Sequence, residues 1–332
     1  MTGQVTTVAA CDGGSPFPGC RPTRAAAGPG PGRAAGAHAP GVLALLCGRY
    51  LLQGRAGTGG MGVVWRARDI RLGGVVAVKV LRPEFAGRAE FRDLLAWEAR
   101  LAGLLSHPGV VQVRDYHDGP DGGVPCLVME YVAGPSLAAV LKAEGTLSPR
   151  RVLGLIVQAA EALGCVHAAG IVHRDIKPAN LLAGTGQVKI ADFGIAQAAG
   201  TIPVTRAGPV LGTPAYLSPE RMAGLPATPA SDLYGLGMIA YECLTGRPPF
   251  HGSPLAVARA HRDRPLPPLP ADVPGPAADL VAALTAKDPQ RRPGDALAVA
   301  DWARRVRDHP QVTQAAAGPV RAGTVLATAR ES

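Results

Sequence analysis

Within His173 to Gly194 (H-R-D-I-K-P-A-N-L-L-A-G-T-G-Q-V-K-I-A-D-F-G), two carboxylates, an amide and an ammonium are spaced to act on a phosphate. Lys177 follows Asp175 by two residues, Asn180 follows by five, and Asp192 comes after a short β-type segment, Gln187 to Ala191. Such a set suits a hydroxyl attacking a phosphate bound to a divalent cation. One carboxylate orients the hydroxyl and takes its proton, while the other carboxylate and the amide oxygen hold the metal. The bland alternative is a solvated loop whose charges only face water. Upstream, Val76-Ala77-Val78-Lys79 is an apolar strand with one lysine, which by itself would keep its charge in water at a strand edge. Glu90 to Leu105 has Phe91, Leu94, Leu95, Leu101, Leu104 and Leu105 at helical spacing, and it carries Glu98 nineteen residues after Lys79. Alone, Glu98 would be an ordinary exposed helix residue.

The pattern H-R-D-x-K-x-x-N with D-F-G twelve residues after the asparagine resembles the catalytic loop and metal-binding segment of eukaryotic-like protein kinases. Lysine two residues after the aspartate marks the serine/threonine branch of that family, here its bacterial members. Gly57, Gly59 and Gly62 stand at G-x-G-x-x-G-x-V spacing, which a dinucleotide site or a plain turn would also show. A dinucleotide site should have a helix straight after the glycines, whereas Val63 to Arg68 reads as a second strand. The resemblance covers about Gly48 to Arg307 and implies an α+β, two-lobed fold. Its small lobe (about 48–132) would be mainly antiparallel strands with one helix, and its larger lobe (about 133–307) mostly helical, with ATP in the cleft.

By the same resemblance, Gly57, Thr58, Gly59, Gly60, Met61 and Gly62 would cover the phosphates, and Val64 and Ala77 the adenine. Met129 would be the gatekeeper, with the Glu130 carbonyl and the Val132 amide pairing with the base. Lys79, held by Glu98, would reach the α- and β-phosphates. Asn180 and Asp192 would bind Mg2+ (or Mn2+), Asp175 would orient the substrate hydroxyl, and Lys177 would neutralise the transferred phosphoryl group. His173 would pack under Phe193, Asp232 would brace the catalytic loop, and Glu220 would pair with a buried Arg292. Arg174 would bind a phosphorylated activation segment, since a guanidinium pairs bidentately with phosphate. Thr205 is the first candidate for autophosphorylation and Thr201 the second, while Thr213 would bond Asp175 and Lys177. The chain departs from the family in three places: Ala56 replaces a larger aliphatic residue before the first glycine, Ser218-Pro219-Glu220 replaces A-P-E, and Ala207 stands where bacterial relatives often have a second threonine.

The elements that must position these groups can be followed along the chain. Residues 1–47 are rich in Gly, Ala and Pro and bury too little apolar surface to offset their ordering entropy, so disorder is expected there. They lack the basic start and apolar core of a signal peptide. The short apolar run Val42 to Leu46 is expected to pack on the following domain. Tyr50-Leu51-Leu52 opens a strand, His107 to Val111 ends the first helix and opens another, and Cys126 to Val132 is the strand entering the inter-lobe hinge. Pro149 to Ala169 reads as a buried helix, as does Ser231 to about Leu244, stopped by Thr245-Gly246. A last helix spans about Ala296 to Arg307, and residues 308–332 read as a flexible tail too short for a sensor domain.

Composition narrows the function classes. The net charge of +9 and pI near 9.6 would suit acidic partners, but arginine is dispersed among Ala, Gly and Pro without a basic block or interleaved aromatics, which argues against nucleic-acid binding. No apolar run reaches the roughly 18 residues of a membrane span. Cys11, Cys20, Cys47, Cys126, Cys165 and Cys243 form no C-x-x-C and no zinc-like spacing, so reduced thiols are expected, the last three as small core residues. The expectation is a cytoplasmic serine/threonine protein kinase acting on protein substrates in signal transduction, with autophosphorylation and a homodimer through the small lobe. The rival readings are a pseudokinase scaffold and a small-molecule phosphotransferase.

Overall fold

The computed structural model describes residues 45–119, 123–184, 186–193, 214–310 and 312. Six strands, Leu45–Leu46 (β1), Tyr50–Thr58 (β2), Gly62–Asp69 (β3), Val75–Leu81 (β4), Val113–His117 (β5) and Cys126–Glu130 (β6), form one antiparallel sheet in the order β1-β2-β3-β4-β6-β5. β4 lies inside the sheet and buries five of its seven residues, as an apolar run interrupted only by Lys79 requires. The helices Pro83–Ala86 (α1) and Ala89–Gly103 (α2) follow β4, and α2 turns Leu95, Glu98, Ala99 and Ala102 inward at three- and four-residue spacing.

Polar side chains join the two ends of this curled sheet. The Arg49 guanidinium donates to both oxygens of Asp69 and, at 2.9 Å, to Asp115 on β5. The Tyr50 hydroxyl donates to the same Asp115 oxygen at 2.9 Å.

The larger lobe contains Leu137–Glu144 (α3), Pro149–Ala168 (α4), the hairpin Leu181–Ala183 (β7) and Val188–Ile190 (β8), then Pro219–Met222 (α5), Pro229–Thr245 (α6), Pro254–Asp263 (α7), Gly275–Leu284 (α8) and Ala296–Arg307 (α9). Its core is built from the apolar faces of α4, α6, α8 and α9. α4 is the one helix among the described residues with the length and hydropathy of a membrane span, and more than half of it is buried in this core. A Thr228/Ser231 capping box starts α6, and Gly246 at φ 78° ends it in the left-handed conformation that glycine adopts without a Cβ clash.

The two-lobed α+β expectation holds, with adjustments at the edges. β1 lies inside the segment assigned to the N-terminal extension, because Leu45 and Leu46 pair with Leu51 and Tyr50 and Leu46 is buried. The packing expected of the run ending at Leu46 is thus met for its last two residues, while residues 1–44 lie outside the described ones. The strand expected to open by Val110 starts at Val113 instead. Val110 and Val111 are taken up by Ile190: Val111 N–H donates to Ile190 O at 2.9 Å, and Ile190 N–H to Gly109 O at 2.8 Å. Beyond the expected limit at Arg307, Val312 is fully buried against the large-lobe core.

Candidate active site

The glycine turn between β2 and β3 is closed by Gly59 N–H donating to Gly62 O at 2.8 Å. Glycine is required at 62, since a Cβ there would stand 2.7 Å from the Val80 carbonyl oxygen on β4. The Arg82 guanidinium donates to Gly59 O at 2.8 Å, tying the tip of the turn to the end of β4. Ala56 is exposed, at a register shift in β2. Under the turn, Ala77 pairs with Met129 across β4 and β6, and both are buried. Beyond β6, the Val132 N–H has no hydrogen-bond acceptor among the described residues. The Glu130 carboxylate accepts from Gln112 N–H at 2.9 Å and Lys189 Nζ at 2.7 Å, fastening the end of β6 to β8.

Lys79 is where strand, helix and loop meet. Its Nζ lies 2.8 and 2.9 Å from the two Glu98 oxygens and 2.9 Å from Asp192 Oδ1. Burial works against the Lys79 charge, but the two carboxylates outweigh it and hold the ammonium well above the ordinary lysine range. Glu98 goes the other way. Burial raises it to about 6, and the shared ammonium only partly offsets that while Asp192 adds repulsion. For Asp192, burial also raises the carboxyl, yet Lys79 first and Lys177 after it bring the group below the usual aspartate value.

The catalytic loop is braced from α6. Asp232, almost fully buried, accepts from His173 N–H and Arg174 N–H, both at 2.8 Å, and from His167 Nε2 at 2.9 Å. These bonds hold Arg174 at φ 72°, a left-handed conformation that costs roughly 1–2 kcal/mol in a side-chain-bearing residue. Asp192 at φ 56° is in the same state, so strain is held at two positions of the site. Burial keeps His173 below its ordinary pKa and therefore neutral. Its partners fix the tautomer: Nε2–H donates to Ala191 O at 3.1 Å, and Nδ1 accepts from Asp175 N–H at 3.3 Å. Its ring lies 4.9 Å from the Phe193 ring, centroid to centroid, as expected. At Gly235, one turn past Asp232, a Cβ would stand 3.0 Å from Ile176 O, so α6 lies directly against the loop.

Asp175 Oδ2 accepts from Lys177 Nζ at 2.6 Å and from Asn180 Nδ2 at 3.0 Å, and the same Nδ2 reaches Asp175 O at 2.8 Å. With its amide protons so used, Asn180 keeps Oδ1 as an acceptor. Ala191 N–H donates to Asn180 O at 2.9 Å, which brings the residue before Asp192 against Asn180. An amide oxygen and a carboxylate are hard oxygen donors, and such a pair fits Mg2+, which takes few protein ligands and keeps waters. Beside Asp175 lies a small cavity of about 20 Å³ lined by Arg174, Tyr216, Leu217, Ser218, Arg221 and Gly235.

Behind the cavity, Arg292 donates from both terminal nitrogens to the two Glu220 oxygens, each at 2.8 Å, and Ser231 Oγ donates to Glu220 at 2.7 Å. Burial alone would raise Glu220, but these donors bring it down to about 2.

The structure thus gathers Lys79, Glu98, Asp175, Lys177, Asn180 and Asp192 around one cleft. Thr201, Thr205, Thr213 and Gly194 lie outside the described residues. Sequence reasoning missed the Arg82, Ser231 and His167 side chains and the Glu130 carboxylate. Only Ser231, directly before Asp232, had a signal nearby; the others are joined by folding alone.

A model of the protein kinase domain matches residues 50–310. The chain is 48% identical over 258 residues to the serine/threonine-protein kinase PknA of Mycobacterium tuberculosis, covering 76% of this chain and 60% of that one. It is 43% identical over 268 residues to PknA of Corynebacterium glutamicum, covering 79% and 57%, and 40% identical over 270 residues to PknL of M. tuberculosis, covering 80% and 67%. It therefore spans only about three-fifths of the length of the PknA relatives.

Proposed function

This chain belongs to the protein kinase family, and from that premise we propose that it transfers the γ-phosphoryl group of ATP to serine and threonine hydroxyls of proteins. The observation that carries the reading is the Lys79 ammonium, held at once by Glu98 and Asp192 from two separate elements. In this reading Lys79 turns to the α- and β-phosphates, and Glu98 keeps it there. The glycine turn covers the phosphates with backbone alone, and Val132 N–H and Glu130 O take the adenine edge between Val64, Ala77 and Met129. Asn180 Oδ1 and Asp192 hold a divalent cation, Mg2+ or Mn2+, which when bound supplies charge neutralisation to the phosphates. Asp175 orients the incoming hydroxyl and accepts its proton, and Lys177 Nζ offsets charge on the transferred group.

The same proposal places the substrate hydroxyl beside Asp175 and Lys177, and autophosphorylation at Thr205, then Thr201. It also places the protein in the cytoplasm and lets small lobes pair, which sedimentation of the kinase alone would read. Incubation with labelled ATP and Mg2+ tests the core claim. Wild type should transfer label to itself or to a basic protein, and Asp175→Asn should lose transfer while keeping nucleotide affinity. Equal turnover in the two proteins would remove Asp175 from its role. Peptide mass spectrometry of the labelled wild type, beside Lys79→Met, locates the modified threonine.

A further inference from the structure

Two cysteines that no motif relates meet in the small lobe. Cys47 Sγ lies 3.4 Å from Cys126 Sγ, although the residues are 79 positions apart. Cys126 is fully buried in β6, paired with Val80 on one side and His117 on the other, whereas Cys47 is exposed. Cys47 occupies the turn between β1 and β2, closed by Arg49 N–H donating to Leu46 O at 3.0 Å. Both central residues have positive φ, Cys47 at 50° and Gly48 at 61°. Asn, Asp or Gly is the usual occupant of the first such position, and a cysteine there carries backbone strain. In return its sulfur is aimed at β6. The turn is held in place independently, because Arg49 and Tyr50 just after it both bind Asp115 of β5.

We propose that Cys47 and Cys126 form a site of reversible oxidation, in which a hydroperoxide oxidises Cys47 and Cys126 closes a disulfide that clasps the β1–β2 turn to β6. The division of labour follows from access. Cys47 is the exposed residue of the pair and the one an oxidant in water reaches, while Cys126 is fully buried. The hydrogen bond from Cys126 also favours the thiolate of Cys47 and lowers its pKa, against burial and the Asp115 charge, while Cys126 holds its proton more firmly. In the first step Cys47 sulfur attacks a peroxide oxygen, the O–O bond breaks, and the other oxygen leaves as water or alcohol with the thiol proton. Cys47 is then a sulfenic acid. In the second step Cys126 sulfur attacks it, the S–O bond breaks, and the hydroxyl leaves as water with the Cys126 proton. The two sulfurs together lose two electrons and the peroxide gains them; a dithiol reverses the change. The inference stands on the small lobe alone and does not depend on the phosphotransfer reading.

The test uses the full chain, reduced, freed of reductant and treated with limiting hydrogen peroxide before alkylation. Peptide mapping without reduction should give a Cys47–Cys126 linked pair in the monomer, lost on adding dithiothreitol and formed before Cys11, Cys20, Cys165 or Cys243 is modified. In Cys126→Ala, dimedone should trap a sulfenic acid on Cys47; in Cys47→Ser, Cys126 should stay a thiol at the same dose. Because the buried alanine variant can misfold, the wild-type map is decisive. Linkage of Cys47 to Cys11, Cys20 or a second copy, a Cys47 no faster than Cys165, or oxidation of Cys126 in Cys47→Ser would each overturn the proposal.

Discussion

Glu98 in the small lobe and Glu220 in the large one are both buried glutamates paired with a cation from a distant stretch of chain, yet their acidities move in opposite directions. Glu98 rises to about 6 and Glu220 falls to about 2. The difference lies in burial, which is deeper for Glu98, and in how many donors each carboxylate has to set against it. Glu220 receives two guanidinium N–H groups and the Ser231 hydroxyl, so its charge is fully answered. Glu98 has one ammonium, and Asp192 competes for it. A saturated pair fixes architecture, whereas an under-supplied pair leaves its cation ready for another anion. The large-lobe brace therefore has the chemistry of a rivet, and the small-lobe cluster that of a site prepared for phosphate.

The comparison breaks first at the cations. Lys79→Met should lower phosphoryl transfer by about a hundred- to a thousandfold, the range seen when a main charge-stabilising donor is removed. Its melting midpoint should change little, because Glu98 can take up a proton in place of the lost partner. Arg292→Ala should do the reverse. Glu220 has no comparable escape, and stranding a buried charge costs about 3–5 kcal/mol. For a domain of this size that is on the order of 10 °C in midpoint. Transfer per folded molecule at low temperature should fall far less than in Lys79→Met. Thermal melts beside labelled-ATP assays check both, and a thermally fragile Lys79→Met with a robust Arg292→Ala would sink the distinction.

Titration sharpens it, with opposite signs. A glutamate depressed when folded, as Glu220 is, stabilises the protein above its unfolded value near 4.5 and loses that contribution as pH falls toward 2. At about 1.4 kcal/mol per unit this amounts to roughly 3 kcal/mol. A glutamate raised when folded, as Glu98 is, favours the folded state most below 4.5 and loses that advantage as pH rises through 6, by roughly 2 kcal/mol. Relative to Glu220→Gln, wild type should thus gain stability between pH 2 and 5. Relative to Glu98→Gln, it should lose stability between pH 4 and 7. Denaturant melts at each pH read both slopes, and slopes of the same sign would show that the two carboxylates are not different in kind.

Much of the site could be read from the chain because its chemistry sits in short motifs. Asp175, Lys177 and Asn180 lie on one loop, and the glycine turn is local; the spacing of Lys79 and Glu98 gained meaning only through the family resemblance. The charge of Asp232 inside an apolar helix also announced a partner, and the backbone N–H groups of His173 and Arg174 supply it. The structural additions have no such mark. His167 reaches Asp232 across 65 residues, Arg49 reaches Asp115 across 66 and Cys47 meets Cys126 across 79, each by tertiary packing of elements whose local patterns are silent about it. Edge strands are equally mute: β1 is two residues long, and its burial depends on the curl of the whole sheet. Boundaries slipped where a single apolar residue, Leu46 or Val312, found a core beyond the regular pattern.

The smallest test asks whether Glu220 owes its low acidity to saturation or to the guanidinium alone. Ser231→Ala removes one of three donors and leaves the bidentate pair with Arg292 in place. It also removes half of the capping box at the start of α6, where the Ser231 hydroxyl accepts from Thr228 N–H at 3.1 Å. Each loss is worth about 1 kcal/mol, so the variant should be destabilised by roughly 1–2 kcal/mol. The two contributions separate by pH. The capping loss is the same at every pH, whereas the lost donor matters only while Glu220 is ionised. The deficit should therefore hold steady down through pH 4 and shrink only as pH falls toward 2, where folded Glu220 takes up its proton, and a pH-independent deficit would assign the whole effect to the cap and leave Arg292 as the sole cause of the depressed carboxyl.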